Sequence, residues 1–78
     1  MKLEGKHFAV GVKEARKAFR DHKVTAVYLA CNAYEGVVEP LKELAEEAGI
    51  TPDEEHTMRE LGRASGIEVG AACVVVYE

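Results

Sequence analysis

"VTAVYLA", residues 24–30, decides the architecture. The stretch is apolar almost without interruption and rich in β-branched and aromatic types, which predicts a strand. A strand with one wet face alternates apolar and polar residues, whereas an unbroken run is covered on both faces. Helices must therefore lie above and below it. Working outward, "VKEARKAFRDH" precedes the strand and sets Val12, Ala15 and Phe19 at helical spacing, one buried stripe. "KHFAVG" ahead of it reads as a short edge strand. After the strand, "EGVVEPLKELAEEAG" places Val37, Val38, Leu41, Leu44, Ala45 and Ala48 on one side of a helix that Gly49 ends. Pro40 removes a backbone donor, so Tyr34 to Glu39 is expected to be a loose opening turn.

The remaining segments complete the pattern. "ITPDEEH" stands where a strand is due, although Pro52 and three consecutive acids demote it to an edge or a loop. Thr57 and Glu60 form a capping box ahead of a helix whose core side is Met58, Leu61 and Ala64. Gly62 in that helix predicts close packing, and Gly66 stops it. "AACVVVY", residues 71–77, reads as a last, central strand. The order strand–helix–strand–helix–strand–helix–strand predicts an α/β fold. It is a three-layer α/β/α sandwich with right-handed crossovers around a small mixed sheet.

Size and composition restrict the function. The 78 residues, 47% of them apolar, are expected to form one domain spanning 1–78. No stretch is long and apolar enough to cross a bilayer, and the charged first twenty residues are no secretory signal. A cytoplasmic, monomeric protein without membrane association is the expectation. Cys31 and Cys73 lie too far apart for a zinc or redox pair. Buried reduced thiols are expected, with a disulfide left open by sequence alone. His7, His22 and His56 are scattered, "GVKEARK" is no Walker loop, and the carboxylates of "DEE" and "EE" read as solvated faces. No catalytic residue, cofactor or metal site is predicted.

Charge is distributed unevenly. Net charge is −4, yet residues 1–23 carry seven Lys or Arg against three acids, and residues 24–78 carry three against eleven. A basic end of this kind can bind polyanions. Lys13, Arg16, Lys17 and Arg20 share one stripe of the first helix. Lys13 and Glu14 sit in its first turn, beside the unpaired N–H groups expected from Gly11 to Glu14. Arg59 and Arg63 are one turn apart on the third helix. In this connectivity the start of helix one and the loop "GIEVGAA", residues 66–72, can adjoin at one sheet end. Cations for phosphates, Glu14 as an acceptor, and apolar Ile67 and Val69 for an unstacked base are what gripping folded RNA requires.

These residues resemble a known family. "GVKEARKAF" followed by "MRELGRASGIEVGAACVVV" is similar to the kink-turn RNA-binding ribosomal proteins of the L-seven-Ae family, and most to its small bacterial members. Gly11, Lys13, Glu14 and Lys17 fit the first motif. Leu61, Gly62, Ala64, Gly66, Ile67, Glu68, Val69, Gly70, Ala71 and Ala72 fit the second. Where such proteins tend to carry acids and an Asp-Pro helix start, this chain reads Cys31, Asn32, Ala33, Tyr34, Glu35. The resemblance implies a non-catalytic protein that binds tandem sheared G·A pairs, in an rRNA or a riboswitch, and associates with the ribosome. It implies that Lys13 and Glu14 read free guanine edges, because lysine only donates and carboxylate only accepts. Lys17, Arg16 and Arg63 would hold phosphate. Ile67 and Val69 would pack on an extruded nucleotide while Glu68 and nearby backbone fix the loop. The rival expectation is a protein-interaction module on the same fold, using the acidic face of Glu35 to Glu55 with its eight acids against Lys42.

Overall fold

The computed structural model describes Leu3 and residues 5–78; the charges at Lys2 and Glu4 lie outside the described residues. Six elements follow one another: β1 (His7–Val10), α1 (Val12–Asp21), β2 (Val24–Leu29), α2 (Glu35–Glu47), α3 (Met58–Ala64) and β3 (Cys73–Tyr77). The strand order is β1-β3-β2, so the last strand is central and the first is an edge. Both neighbours run antiparallel to β3, Val10 facing Val74 and Leu29 facing Cys73.

Alternation along β3 divides the core between two faces. Cys73 and Val75 point to the side of α1 and α2, where they pack with Ala15, Ala18, Val27, Leu29, Val38, Leu41 and Ala45. Val74 and Val76 point to the side of α3, where they meet Leu3, Ala30, Leu61 and Ala71. Every one of Cys73 to Val76 is buried, as the unbroken apolar run requires. Helices thus cover both faces of a thin sheet.

The expected third strand does not form. Residues 51–56 contribute a single parallel bridge, Asp53 to Tyr28, so the three named strands are wholly antiparallel rather than mixed. The Asp53 N–H donates to the Val27 carbonyl and the Asp53 carbonyl accepts from Leu29 N–H, both at 2.8 Å. Pairing then stops. Pro52 has no N–H to offer, and the Asp53 carboxylate accepts the Glu55 N–H at 2.9 Å, turning the chain off the sheet edge.

Two helical expectations also change. Helix α2 starts at Glu35, so Pro40 lies inside it instead of ending a loose turn. Its ring leaves the carbonyl four residues earlier, at Gly36, without a helical donor. The buried stripe is narrower than the apolar pattern: Val38, Leu41 and Ala45 are buried, while Val37 and Ala48 are exposed. On α1 the stripe is Ala15 and Ala18, with Phe19 half-buried.

The cysteines differ from each other. Both are free, but Cys31 is exposed and only Cys73 is buried. Burial pushes the Cys73 thiol up to about 11, against a smaller opposing pull from the Gly11 N–H. A thiol reagent at neutral pH should therefore titrate one group rapidly in the folded protein, and the second only on unfolding. Two equally fast groups in the native state would contradict this packing.

Candidate nucleic-acid interface

The strand directions create one functional end. β1 and β2 finish where β3 begins, so the starts of α1 and α2 and the loop before β3 gather at that end. The Gly11 N–H donates to the Cys73 carbonyl at 3.0 Å, and the Ala30 N–H donates to the Ala72 carbonyl at 2.9 Å. These two bonds join the first-helix entrance and the end of β2 to adjacent residues at the start of β3. The Gly11 N–H is therefore occupied, and the open donors of α1 begin at Val12 instead of Gly11. Gly11 holds φ 91°, a left-handed conformation that lets the chain leave β1 and enter the helix at once.

α1 supplies the charge. Lys13, Glu14, Arg16, Lys17 and Arg20 are all exposed. Lys13, Arg16, Lys17 and Arg20 form one wall of a groove whose other wall includes Glu43 and Glu47 of α2, over Val12, Pro40 and Leu44. Among the described residues the ion pairs are Arg20 with Asp21 at 2.9 Å and Lys42 with Glu54 at 3.2 Å. Among the described residues Lys13, Arg16 and Lys17 form no ion pair, which leaves them available to an external anion. Arg20 is less available, since its guanidinium is held by Asp21, whose carboxyl it lowers below the usual range.

The loop before β3 is fixed from beneath. Thr57 caps α3 by accepting the Glu60 N–H at 3.2 Å, and Glu60 accepts the Thr57 N–H at 2.9 Å. Ile67 N–H donates to the Gly62 carbonyl and Ala71 N–H to the Met58 carbonyl, each at 3.0 Å. Both ends of the loop are thereby bolted to α3. Gly62 lets it lie flat: a Cβ there would collide with the Val69 carbonyl oxygen and meet Gly70 Cα at 3.3 Å. With its backbone against the helix, the loop turns its side chains outward. Val69 is 72% exposed and Ile67 36%. Glu68 is exposed as well, and the bonds that hold the loop come from the backbone rather than from its carboxylate.

The capping box carries its own pH dependence. The Thr57 hydrogen bonds lower the Glu60 carboxyl below its ordinary range. A depressed acid stabilises the fold above its unfolded pKa, and that contribution is lost as pH falls through the lower folded value. Thr57→Ala should cost about 1 kcal/mol at neutral pH. It should also reduce the acid sensitivity of the melt. Equal thermal stability of the variant at neutral pH would show that the cap contributes nothing.

One pocket gathers Arg59, Arg63, Ile67, Glu68 and Val69 with Asn32, Met58 and Gly70. Of the residues singled out from sequence, Arg63, Ile67, Glu68 and Val69 meet there. Lys13, Arg16 and Lys17 line the α1–α2 groove instead, and Glu14 shares a small recess with Lys17, His22 and Tyr77. Asn32 was missed by sequence reasoning. Its Oδ1 accepts the Met58 N–H at 2.9 Å, tying the loop after β2 to the start of α3. A loop asparagine carries no signal of that kind, because its partner is 26 residues away.

No family model matches the chain. An RNA-binding protein of Caldanaerobacter subterraneus subsp. tengcongensis is 51% identical over 63 residues, spanning 81% of this chain and 77% of that relative. The chain belongs to this family of small bacterial RNA-binding proteins. Further members are an RNA-binding protein of Bacillus pumilus, 34% identical across 86% of the chain and 82% of its own length, and RNA-binding protein YbxF of Geobacillus stearothermophilus. The latter is 30% identical across 95% of the chain and 90% of its own length. A solved structure from Bacillus halodurans, a protein of unknown function, superposes with a TM-score of 0.78 at 22% identity. It covers 91% of this chain and 71% of that one, which bears on the fold alone. Among the described residues no group of side chains could hold a metal ion, and no helix is long and apolar enough to cross a bilayer.

Proposed function

We propose that this chain binds RNA without catalysis and recognises kink-turns or similar bends, as an L-seven-Ae-type domain. Lys13 and Glu14 read the free guanine edges of sheared G·A pairs. Lys17, Arg16 and Arg63 hold phosphate, and Ile67 and Val69 pack on an extruded nucleotide. The reading extends to one domain over 1–78, in the cytoplasm and associated with the ribosome. The observation that carries it is the Gly11–Cys73 hydrogen bond of 3.0 Å, which sets the cationic helix entrance and the exposed apolar loop at one sheet end. Neither feature alone is unusual on a protein surface. Together they match a ligand with charged backbone and unstacked bases. Family membership with proteins named as RNA-binding supports the same direction.

Titration with a kink-turn RNA and with a control carrying Watson–Crick pairs in place of the G·A pairs tests the proposal. Tight binding to the first and weak binding to the second is expected. Equal binding to both removes the kink-turn reading, and binding to neither removes RNA.

A second reading has one observation in its favour. Glu43, Glu46 and Glu47 stand exposed together on α2, an acidic patch suited to a basic protein. Capture of such a partner that persists after Lys13→Ala and Glu14→Ala would favour it.

A further inference from the structure

We propose that Tyr34 is a base-stacking residue of the RNA interface, receiving an unpaired nucleobase on its open face; the inference rests on the RNA-binding reading above. Tyr34 is 79% exposed, the most exposed of the large apolar side chains among the described residues. Its ring nevertheless has a defined seat. A Cβ on Gly36 would lie 2.8 Å from Tyr34 Cε2 and 3.3 Å from Cδ2, so the ring occupies space that a side chain at that position would fill. Glycine disfavours helix formation, and in the first turn of α2 its lack of a side chain admits the ring. An aromatic ring with few torsions, already parked against backbone, loses little entropy on receiving a ligand.

Its position matches that use. The Ala30 N–H is bonded to Ala72 and the Cys31 N–H to the His56 carbonyl at 2.8 Å, while Asn32 holds Met58. The segment that ends in Tyr34 is therefore pinned to the same sheet end as the loop of Ile67 and Val69. Asn32, two residues before Tyr34, lines their pocket. Glu35 follows Tyr34 directly and repels phosphate, so the ring suits a neutral base whose backbone is held elsewhere by cations. Stacking on an aromatic face tolerates any base.

Four proteins decide the matter: wild type, Tyr34→Ala, Tyr34→Phe and Gly36→Ala. Each is titrated with a bent RNA carrying 2-aminopurine in turn at each unpaired position. Wild type should quench one position, and Tyr34→Phe should reproduce it. Tyr34→Ala should abolish that quenching and weaken binding on the order of tenfold. The salt slope should stay unchanged, because stacking releases no counterions. Gly36→Ala should weaken binding while keeping the helix content. Should Tyr34→Ala fail to fold, the Gly36→Ala and Tyr34→Phe arms still decide. Wild-type affinity and quenching in Tyr34→Ala overturn the stacking role and leave the RNA reading intact, whereas an altered salt slope assigns Tyr34 to positioning cations and also overturns it. Absence of RNA binding by wild type overturns both.

Discussion

Gly62→Ala should lower the melting temperature by roughly 5–20 °C, although alanine is the better helix former. In an open helix the change would stabilise by about 1 kcal/mol. Here the new methyl meets the Val69 carbonyl oxygen, with the Val69 carbonyl carbon at 3.2 Å and Gly70 Cα at 3.3 Å. All three are backbone atoms, so no side chain can rotate away. Either α3 withdraws from the loop or the loop lifts from α3, and the bonds from Ile67 to Gly62 and from Ala71 to Met58 are strained in both cases. Overpacking of this type costs about 1–3 kcal/mol, and each kcal/mol moves the midpoint of a domain this small by about 4–8 °C. Calorimetry checks the sign directly. A melting temperature equal to or above that of the wild type would mean that the close approach of helix and loop is not a constraint. Since the same contact turns Ile67 and Val69 outward, RNA affinity should fall with stability in this variant.

Lys13→Ala should weaken binding to a kink-turn RNA by about 10- to 100-fold, and it should narrow the preference over the control lacking G·A pairs. A donor to a base edge is worth roughly 1–3 kcal/mol and acts on specificity. Lys17→Ala should behave differently, lowering affinity for both RNAs alike. If about three to four phosphates are neutralised, log affinity should fall with log salt at a slope of roughly −2 to −4. Removal of Lys17 should flatten that slope by about 1. The two lysines thus separate by which quantity moves, discrimination or salt dependence. Neither forms an ion pair among the described residues, so no internal partner is orphaned by either substitution. A Lys17 variant with the wild-type slope would take it out of phosphate contact. A Lys13 variant with unchanged discrimination would take it out of base reading.

The segments best read from sequence are those whose signal is local. The capping box at Thr57 and Glu60 involves residues three apart, and both of its bonds are present. The unbroken apolar run of β3 reports burial on two faces, and Cys73 to Val76 are all buried. β2 follows it on one face only, with Val27 and Leu29 buried toward α1 and α2, Ala26 and Tyr28 half-buried on the other side and Thr25 exposed. Gly62 was expected to mark close packing, yet its partner at Val69 is set by how the loop folds back. Residues 51–56 misled in the other direction. Chain order asked for a strand, but Pro52 and the Asp53 carboxylate compete locally with pairing, and only one bridge survives.

For the candidate interface the division is similar. The cationic stripe of Lys13, Arg16 and Lys17 and the apolar loop of Ile67 and Val69 are properties of short stretches, and the amino-acid order determined them. Tertiary structure decided what stands beside what. The Gly11–Cys73 bond closes a separation of 62 residues, the Asn32–Met58 bond one of 26, and the Ala30–Ala72 bond ties the end of β2 to the chain just before β3. Periodicity and spacing report forces that act within a turn or two of chain. Contacts across such distances depend on strand order and direction, and those follow only once the two faces of β3 are covered at the same time.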